Sequence, residues 1–148
     1  MKWLFVVDPL HELTQERDTT LAMVEGALAH GHEAFLTTLP DLSMDLERGA
    51  YAKTLRVLRC EPLKAPVETE PVGSLLLEHF DHVFMRKDPP FDLEYVYATY
   101  ILEAAERRGV SVVNSAEGLR HATEKIYPLL FPDLCPPQVI TRDPEEIM

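Results

Sequence analysis

Apolar runs alternate with helix-like segments in the first part of the chain. Residues 3–7 are continuously apolar, which is typical of a central parallel strand buried on both faces. Asp18 suits the N-cap of a helix over residues 19–30, with Gly31 just after its end. A second strand is expected over residues 33–38. Two strands joined by a helix predict a right-handed parallel crossover.

The middle of the chain predicts a hairpin followed by a loop. Apolar and polar residues alternate over residues 42–46, Arg48-Gly49 supplies a turn, and residues 51–58 are rich in strand formers. We therefore expect an antiparallel hairpin at the sheet edge or projecting from it. Residues 60–73 carry three prolines and scattered charges, which indicates a surface loop. A short helical turn is expected over residues 74–79.

The clearest helix in the chain is predicted for residues 93–108, after a buried strand at residues 82–85. Asp92 is a plausible N-cap, and Gly109 ends the helix. Residues at helical spacing predict its buried stripe, with the tyrosines in the core rather than in contact with ligand. The stripe consists of Leu93, Val96, Tyr97, Tyr100, Ile101, Ala104 and Ala105.

The remaining segments predict one further strand, over residues 110–113, and several short elements. These are a turn capped by Ser115, a helix over residues 123–131 that Pro128 should kink or shorten, a strand over 138–141 and a helix starting at Asp143. We place one domain at residues 1–131, with a linker and the first elements of another at 132–148. The fold class is α/β: a mainly parallel sheet flanked by helices on both faces, with an added β-hairpin.

The composition argues against some classes of binding partner. The 148 residues include 14 basic and 25 acidic side chains, for a net charge of −11, which argues against a nucleic-acid or anionic-membrane surface. No apolar run approaches the roughly 20 residues of a membrane helix. The two cysteines form no CxxC motif, so free thiols in a reducing cytoplasm are the simplest interpretation.

Candidate binding residues follow the strand at residues 82–85. Ligands of open α/β sheets bind beyond the carboxyl ends of strands, where Arg86, Lys87 and Asp88 are expected. Arg86 and Lys87 suit a substrate carboxylate or phosphate, while Asp88 suits a substrate amino group or a brace for Arg86. The alternative is a solvated loop with Asp88 as a turn residue. Asn114, at another strand end, fits a ligand donor or a strand terminator equally well.

A second candidate is the start of the first helix. Its free N–H groups, with the hydroxyls of Thr19 and Thr20, predict an anion site, although Asp18 and these threonines are also sufficient as helix caps. No GxGxxG, HExxH or GxSxG motif is present. His30 and His32 form an HxH pair that is usually incidental. We assign no catalytic residue and no metal ligand to this chain.

Several motifs together resemble the N-terminal domain of bacterial glutathione synthetase, an ATP-grasp ligase. The longest is MRKDPPFD at residues 85–92 followed by LEYVYATYILE. VVNSAEGLR, TEKIY and the FPDL and VITR segments follow, and VVDP and Arg17-Asp18-Thr19-Thr20 precede it. The resemblance spans nearly the whole chain, is weakest between Asp41 and Glu78, and implies a pre-ATP-grasp, Rossmann-like domain.

The resemblance implies ligation of γ-glutamylcysteine to glycine through an acyl phosphate, using ATP and Mg²⁺. Asp18–Thr20, Arg86–Asp88 and Asn114 would contact substrate, and Lys125 would contact a nucleotide phosphate. The sequence covers about the first half of such an enzyme. We therefore expect a fragment that is inactive alone, whose missing ATP-grasp domain binds most of the ATP and Mg²⁺. A cytoplasmic location and a homo-oligomeric full-length enzyme are also expected.

Two alternatives remain open on the sequence. One is a non-catalytic binding or interaction domain derived from an ATP-grasp ligase. The other is a ligase of the same superfamily with another acceptor, because acceptor choice depends on residues outside this half.

Overall fold

The structure, a computed structural model, describes residues 1–13, 18–123 and 125–147. Within them lie seven strands, three α-helices and several 3₁₀ turns. The strands are β1 Lys2–Val6, β2 Glu33–Thr37, β3 Leu42–Asp45, β4 Gly49–Glu61, β5 Ala65–Leu76, β6 His82–Met85 and β7 Ser111–Val113. The helices are α1 Thr19–Ala29, α2 Leu93–Glu106 and α3 Ala116–His121.

The seven strands form one mixed sheet with a parallel centre. β2, β1, β6 and β7 lie side by side and run parallel. β4 runs antiparallel to β2, β3 and β5. Ala52 of β4 pairs with Leu42 of β3 and with Leu75 of β5, so β3 and β5 lie on opposite edges of β4. The predicted sheet and hairpin are confirmed, and the hairpin joins the edge of the sheet.

Helices cover both faces of the sheet, as predicted. Neighbouring residues of a strand point to opposite faces, so Leu4 and Phe5 of β1 belong to different cores. Phe5 packs in the cluster that includes Leu21 of α1. Leu4 packs in the cluster that includes Leu102 of α2. The two buried clusters therefore fix one helix on each side of β1.

Local capping signals place both long helices. The Asp18 carboxylate accepts a hydrogen bond of 2.7 Å from the Thr20 backbone N–H, and the Asp92 carboxylate accepts one of 2.9 Å from that of Tyr95. Gly31, just after α1, has a positive φ of 76°, a conformation that glycine adopts without steric cost. The predicted starts of α1 and α2 are confirmed.

The buried face predicted for α2 is largely wrong, although Ala105 of the predicted stripe is buried and Ile101 packs against the core. Leu93, Tyr97 and Tyr100 are 72%, 66% and 54% exposed. Leu102 fills the core and the small Ala98 packs close to it, while these three large side chains point outwards. Since the helix carries apolar residues on two sides, spacing alone did not identify the buried one. The residues that are buried are Tyr95, Ala98, Thr99, Leu102 and Ala105.

The predicted loop at residues 60–73 is also wrong, because most of it belongs to β5. Pairing with β4 extends from Tyr51–Leu76 to Glu61–Ala65, with register shifts along the way. Within the described residues β5 pairs with β4 alone, and prolines are tolerated in such an edge strand. The segment at 74–79 continues this strand before a 3₁₀ turn at Leu77–His79.

The β4–β5 hairpin packs on the same face of the sheet as α1. Val57 and Cys60 are both 4% exposed and belong to the same core cluster as Leu21. The Cys60 thiol donates a hydrogen bond of 3.5 Å to the Leu21 carbonyl oxygen. Burial raises the pKa of Cys60 to about 11. The β4–β5 hairpin therefore contributes side chains to the core and does not project freely into solvent.

The last segments are less regular than expected. The helix predicted over 123–131 is reduced to a 3₁₀ turn at Tyr127–Leu130, because Pro128 cannot donate to a longer helix. Residues 138–141 form no strand. Asp143 caps a single 3₁₀ turn. Arg17, Glu124 and Met148 lie outside the described residues. Among the described residues, no helix has both the length and the apolar character needed to cross a membrane.

The packing of the β4–β5 hairpin predicts that the Cys60 thiol is alkylated slowly. At pH 8, a thiol with a pKa of about 11 is ionised ~100-fold less than an ordinary cysteine. We expect iodoacetamide to modify half-buried Cys135 first and Cys60 at least about 10-fold more slowly in the native protein, as measured by mass spectrometry. Equal rates are expected in guanidinium chloride. Equal rates in the native protein would place residues 60–73 in a surface loop after all.

Candidate functional site

The candidate site lies where β1 and β6 end. Val6 pairs with Met85 in parallel register, so the residues after these strands emerge at the same edge of the sheet. The chain leaves β1 towards α1 on one face and leaves β6 towards α2 on the other. This arrangement is the topological switch point at which open α/β sheets bind ligands. A cleft of about 540 Å³ opens there, lined by Asp8, Asp18, Thr19, Thr20, Arg86 and Asp88 among others.

Arg86 is held against the start of α1. Its Nε lies 3.2 Å from the hydroxyl oxygen of Thr20, and its Nη2 lies 2.7 Å from that of Thr19, with the guanidinium donating in both cases. Its backbone N–H donates to the Val6 carbonyl oxygen at 2.8 Å. The structure thus brings Arg86, Asp18 and both threonines together in the cleft.

Asp8 holds the segment that follows β6. One carboxylate oxygen lies 2.7 Å from the Lys87 ammonium, and the other accepts a 2.9 Å hydrogen bond from the Asp88 backbone N–H. The side chains of Lys87 and Asp8 are only 18% and 15% exposed. The Lys87 ammonium also donates to the Asp88 carbonyl oxygen at 2.6 Å. Lys87 is therefore directed at Asp8 and is not among the residues that line the cleft.

Sequence reasoning did not assign a site role to Asp8. The available signal was its position: an acidic residue directly after the apolar run that becomes β1. Glu12, which also lines the cleft, carried no such signal. Asp18 and Asp88 line the cleft as well, so among the described residues four carboxylates and one arginine surround it. The cleft therefore suits a ligand that carries an ammonium group as well as a carboxylate.

Asn114 and Lys125 lie together in a neighbouring pocket rather than in the cleft. This pocket has a volume of about 640 Å³ and is also lined by Phe91 and Tyr95. Burial raises the pKa of Tyr95, so its phenol stays protonated near neutral pH. Pro89 lines both the pocket and the cleft, which makes them adjacent. Tyr95 was missed from the sequence because it lies off the predicted stripe of α2.

An ion-pair cluster fixes α3, which forms a wall of the pocket, against α2. Arg120 pairs with the Glu103 carboxylate and donates a 3.1 Å hydrogen bond to the Thr99 hydroxyl. The hydrogen bond from Arg120 lowers the pKa of Glu103, with a further contribution from Arg107. These contacts hold α3, and with it one wall of the pocket, against α2.

No metal centre is formed by the residues in the described ranges. Among them, no group of three or more His, Cys, Asp or Glu side chains is placed to hold a metal ion. The described part of the site therefore offers cationic, hydroxyl, amide and carboxylate groups for recognising small polar ligands.

The fold and the site define an α/β domain with a cleft at the carboxyl edge of its sheet. Residues 1–120 match the family described as prokaryotic glutathione synthetase, N-terminal domain. The chain belongs to this family.

Three relatives illustrate the similarity. The glutathione synthetase of Vibrio parahaemolyticus is 39% identical over 142 residues, covering 96% of this chain and 45% of the relative. That of Synechococcus elongatus is 37% identical over 157 residues, covering 99% and 48%. That of Nitrosomonas europaea is 37% identical over 152 residues, covering 100% and 47%. The chain thus spans about half the length of these relatives.

The Asp8–Lys87 pair should contribute measurably to stability because both side chains are largely shielded from water. In a double-mutant cycle with Asp8→Ala and Lys87→Ala, we expect a coupling energy of at least about 1 kcal/mol from denaturant unfolding. The exposed pair Arg59–Glu68, with a separation of 3.5 Å, serves as control and should give less than about 0.5 kcal/mol. Equal coupling in both cycles would contradict the anchoring role of Asp8.

Proposed function

We propose that this chain forms the substrate-side domain of a glutathione synthetase, an ATP-dependent carboxylate–amine ligase of the ATP-grasp class. The proposed reaction joins γ-glutamylcysteine to glycine through an acyl phosphate. The observation that carries the proposal is Arg86, held by Thr19 and Thr20 at a helix start inside a cleft rich in carboxylates. Membership of the family supports the same substrates.

The chemistry of the cleft matches that of γ-glutamylcysteine, which carries two carboxylates and one ammonium group. The described residues use two of the five N–H donors of Arg86, which leaves donors for a carboxylate. The start of α1 adds a partial positive charge beside it. Asp18 and Asp88 supply negative charge for the ammonium group. Lys87 contributes indirectly in this proposal, by fixing the backbone of the segment after β6.

We assign the neighbouring pocket to the nucleotide side of the reaction. Lys125 would contact a phosphate as a point charge, and Asn114 would donate to a ligand from the lining of the pocket. ATP supplies the phosphoryl group that activates the substrate carboxylate. We assign Mg²⁺ and most nucleotide contacts to the part of the relatives outside the match, since the match covers only 45% of the Vibrio parahaemolyticus relative. Homo-oligomeric assembly and a cytoplasmic location belong to the same proposal.

Binding of γ-glutamylcysteine should depend on Arg86. We expect Arg86→Ala to weaken binding by about 10- to 100-fold in isothermal titration calorimetry, since a charge-assisted hydrogen-bond pair is lost. Arg86→Lys should restore only part of the affinity because lysine cannot make a bidentate contact. Arg59→Ala, on the outer side of the hairpin, is the matched control and should bind normally. Unchanged binding by Arg86→Ala would refute the assigned role.

The 148-residue chain alone should not catalyse ligation. A coupled ATPase assay with ATP, Mg²⁺, γ-glutamylcysteine and glycine is expected to show no substrate-dependent ADP, because the proposed ATP-grasp part of the enzyme corresponds to the portion of the relatives outside the match. A full-length glutathione synthetase, such as that of Vibrio parahaemolyticus, provides the positive control. Substrate-dependent turnover by the chain would contradict the proposed division of roles. Absence of both turnover and γ-glutamylcysteine binding would leave the interaction-domain alternative.

A further inference from the structure

A further pocket lies beyond the end of β2, where the turn that follows this strand meets β4 and β5. Its volume of about 490 Å³ is in the range of small-molecule sites. We call it the β2 pocket, and its lining includes Val7, Leu10, Leu36, Asp41, Lys53 and Ser74. None of the described residues that line it also lines the cleft or the pocket of Asn114 and Lys125. The β2 pocket is therefore a separate cavity.

The inner lining of the β2 pocket is apolar. Leu36 of β2 and Val7 are only 1% and 2% exposed, and Leu55 of β4 pairs with Leu36 across the sheet. The Val7 backbone N–H donates to the Thr37 carbonyl oxygen at 2.8 Å, which continues the pairing of β1 with β2 up to the pocket. The sheet thus fixes this lining, and the apolar body of a ligand would displace water from it.

Two charged side chains from different segments border the apolar lining. The Asp41 carboxylate accepts a 2.8 Å hydrogen bond from the Thr38 hydroxyl through Oδ2, which orients it. Its Oδ1 has no hydrogen-bond or ion-pair partner among the described residues. Lys53 of β4 lies opposite Ser74 of β5, and in the described ranges its ammonium forms no ion pair. A negative and a positive group are thus available to a ligand.

We propose that the β2 pocket binds a free α-amino acid with an aliphatic side chain, such as L-leucine. The ammonium group of the ligand faces Asp41, its carboxylate faces Lys53, and its side chain covers Leu36 and Leu55. One ligand then compensates both charges and removes the apolar lining from water. A purely apolar molecule would leave both charges uncompensated, and glycine has no side chain to cover the two leucines.

This site is independent of the proposed ligase function. Arg86, Thr19 and Thr20, which carry that proposal, are not among the residues that line the β2 pocket. The requirement for an aliphatic side chain also distinguishes the ligand from glycine, the amine substrate of the proposed reaction. Failure of one proposal therefore leaves the other standing.

Titration of the ¹⁵N-labelled 148-residue chain with L-leucine tests the ligand class. We expect the largest shifts at the amides of Thr38, Asp41 and Ser74, with a dissociation constant of about 0.1–1 mM for a ligand of this size. Three probes each lack one group: glycine the side chain, 3-methylbutylamine the carboxylate and 4-methylpentanoate the ammonium. Each should bind at least about tenfold more weakly. No shifts at about 20 mM L-leucine, largest shifts outside the pocket, or equal binding by any of the three probes would overturn the proposal.

Substitutions in the lining test the location of the site. Ser74→Trp should abolish L-leucine binding by filling the pocket, whereas Val72→Trp, at an exposed position of the same strand, is the matched control and should bind normally. Asp41→Asn keeps an acceptor for Thr38 but removes the charge, and should weaken binding at least about tenfold.

The same variants separate this proposal from that for the cleft. Ser74→Trp should still bind γ-glutamylcysteine normally, because Ser74 is not among the residues that line the cleft. The ¹⁵N spectra check that each variant is folded. L-leucine binding that withstands either Ser74→Trp or Asp41→Asn would overturn the assignment to the β2 pocket.

Discussion

The parallel pairing of β1 with β6 is the constraint on which the candidate site depends. Because Val6 lies beside Met85, the residues that follow each strand meet at one edge of the sheet. Asp8 can then bind both the Lys87 ammonium and the Asp88 backbone N–H. The same pairing directs Arg86 towards the start of α1. A one-residue shift in register would reverse the direction of these side chains.

The two recesses at this edge divide the proposed chemistry between them. From the described part of the chain, the cleft is offered one arginine, two hydroxyls and several carboxylates, which suits a ligand with charges of both signs. The pocket beside it is lined largely by apolar and aromatic side chains, together with Lys125 and Asn114. Pro89 borders both, so ligands in the two recesses would be neighbours. That proximity is what transfer of a phosphoryl group to a substrate carboxylate requires.

Features set by neighbouring residues in the chain were predictable from the sequence. Asp18 and Asp92 identified the helix starts because a carboxylate can accept from a backbone N–H two or three residues later. The apolar run at residues 82–85 likewise identified β6. The location of Arg86 beyond the end of this strand followed from the general behaviour of open sheets.

Features set by distant residues were not predictable. β5 forms because β4 pairs with it along its length. The prolines and charges of residues 60–73 instead suggested a loop, because composition does not reveal a pairing partner. The buried side of α2 is decided by which side chains, large and small, fit against the sheet. Lys87 is directed at Asp8, 79 positions earlier in the chain. The residues next to either side chain in the sequence do not predict that ion pair. Residues 138–141 have strand-forming composition but no strand, since composition does not supply a pairing partner.

The most direct test of the central claim is a chemical-shift titration of the ¹⁵N-labelled chain with γ-glutamylcysteine. If Arg86 and the start of α1 form one binding site, the largest shifts should occur at the amides of Thr19, Thr20 and Arg86–Asp88. The amides of the β4–β5 hairpin should change little. Largest shifts in the hairpin, or none at saturating ligand, would contradict the account.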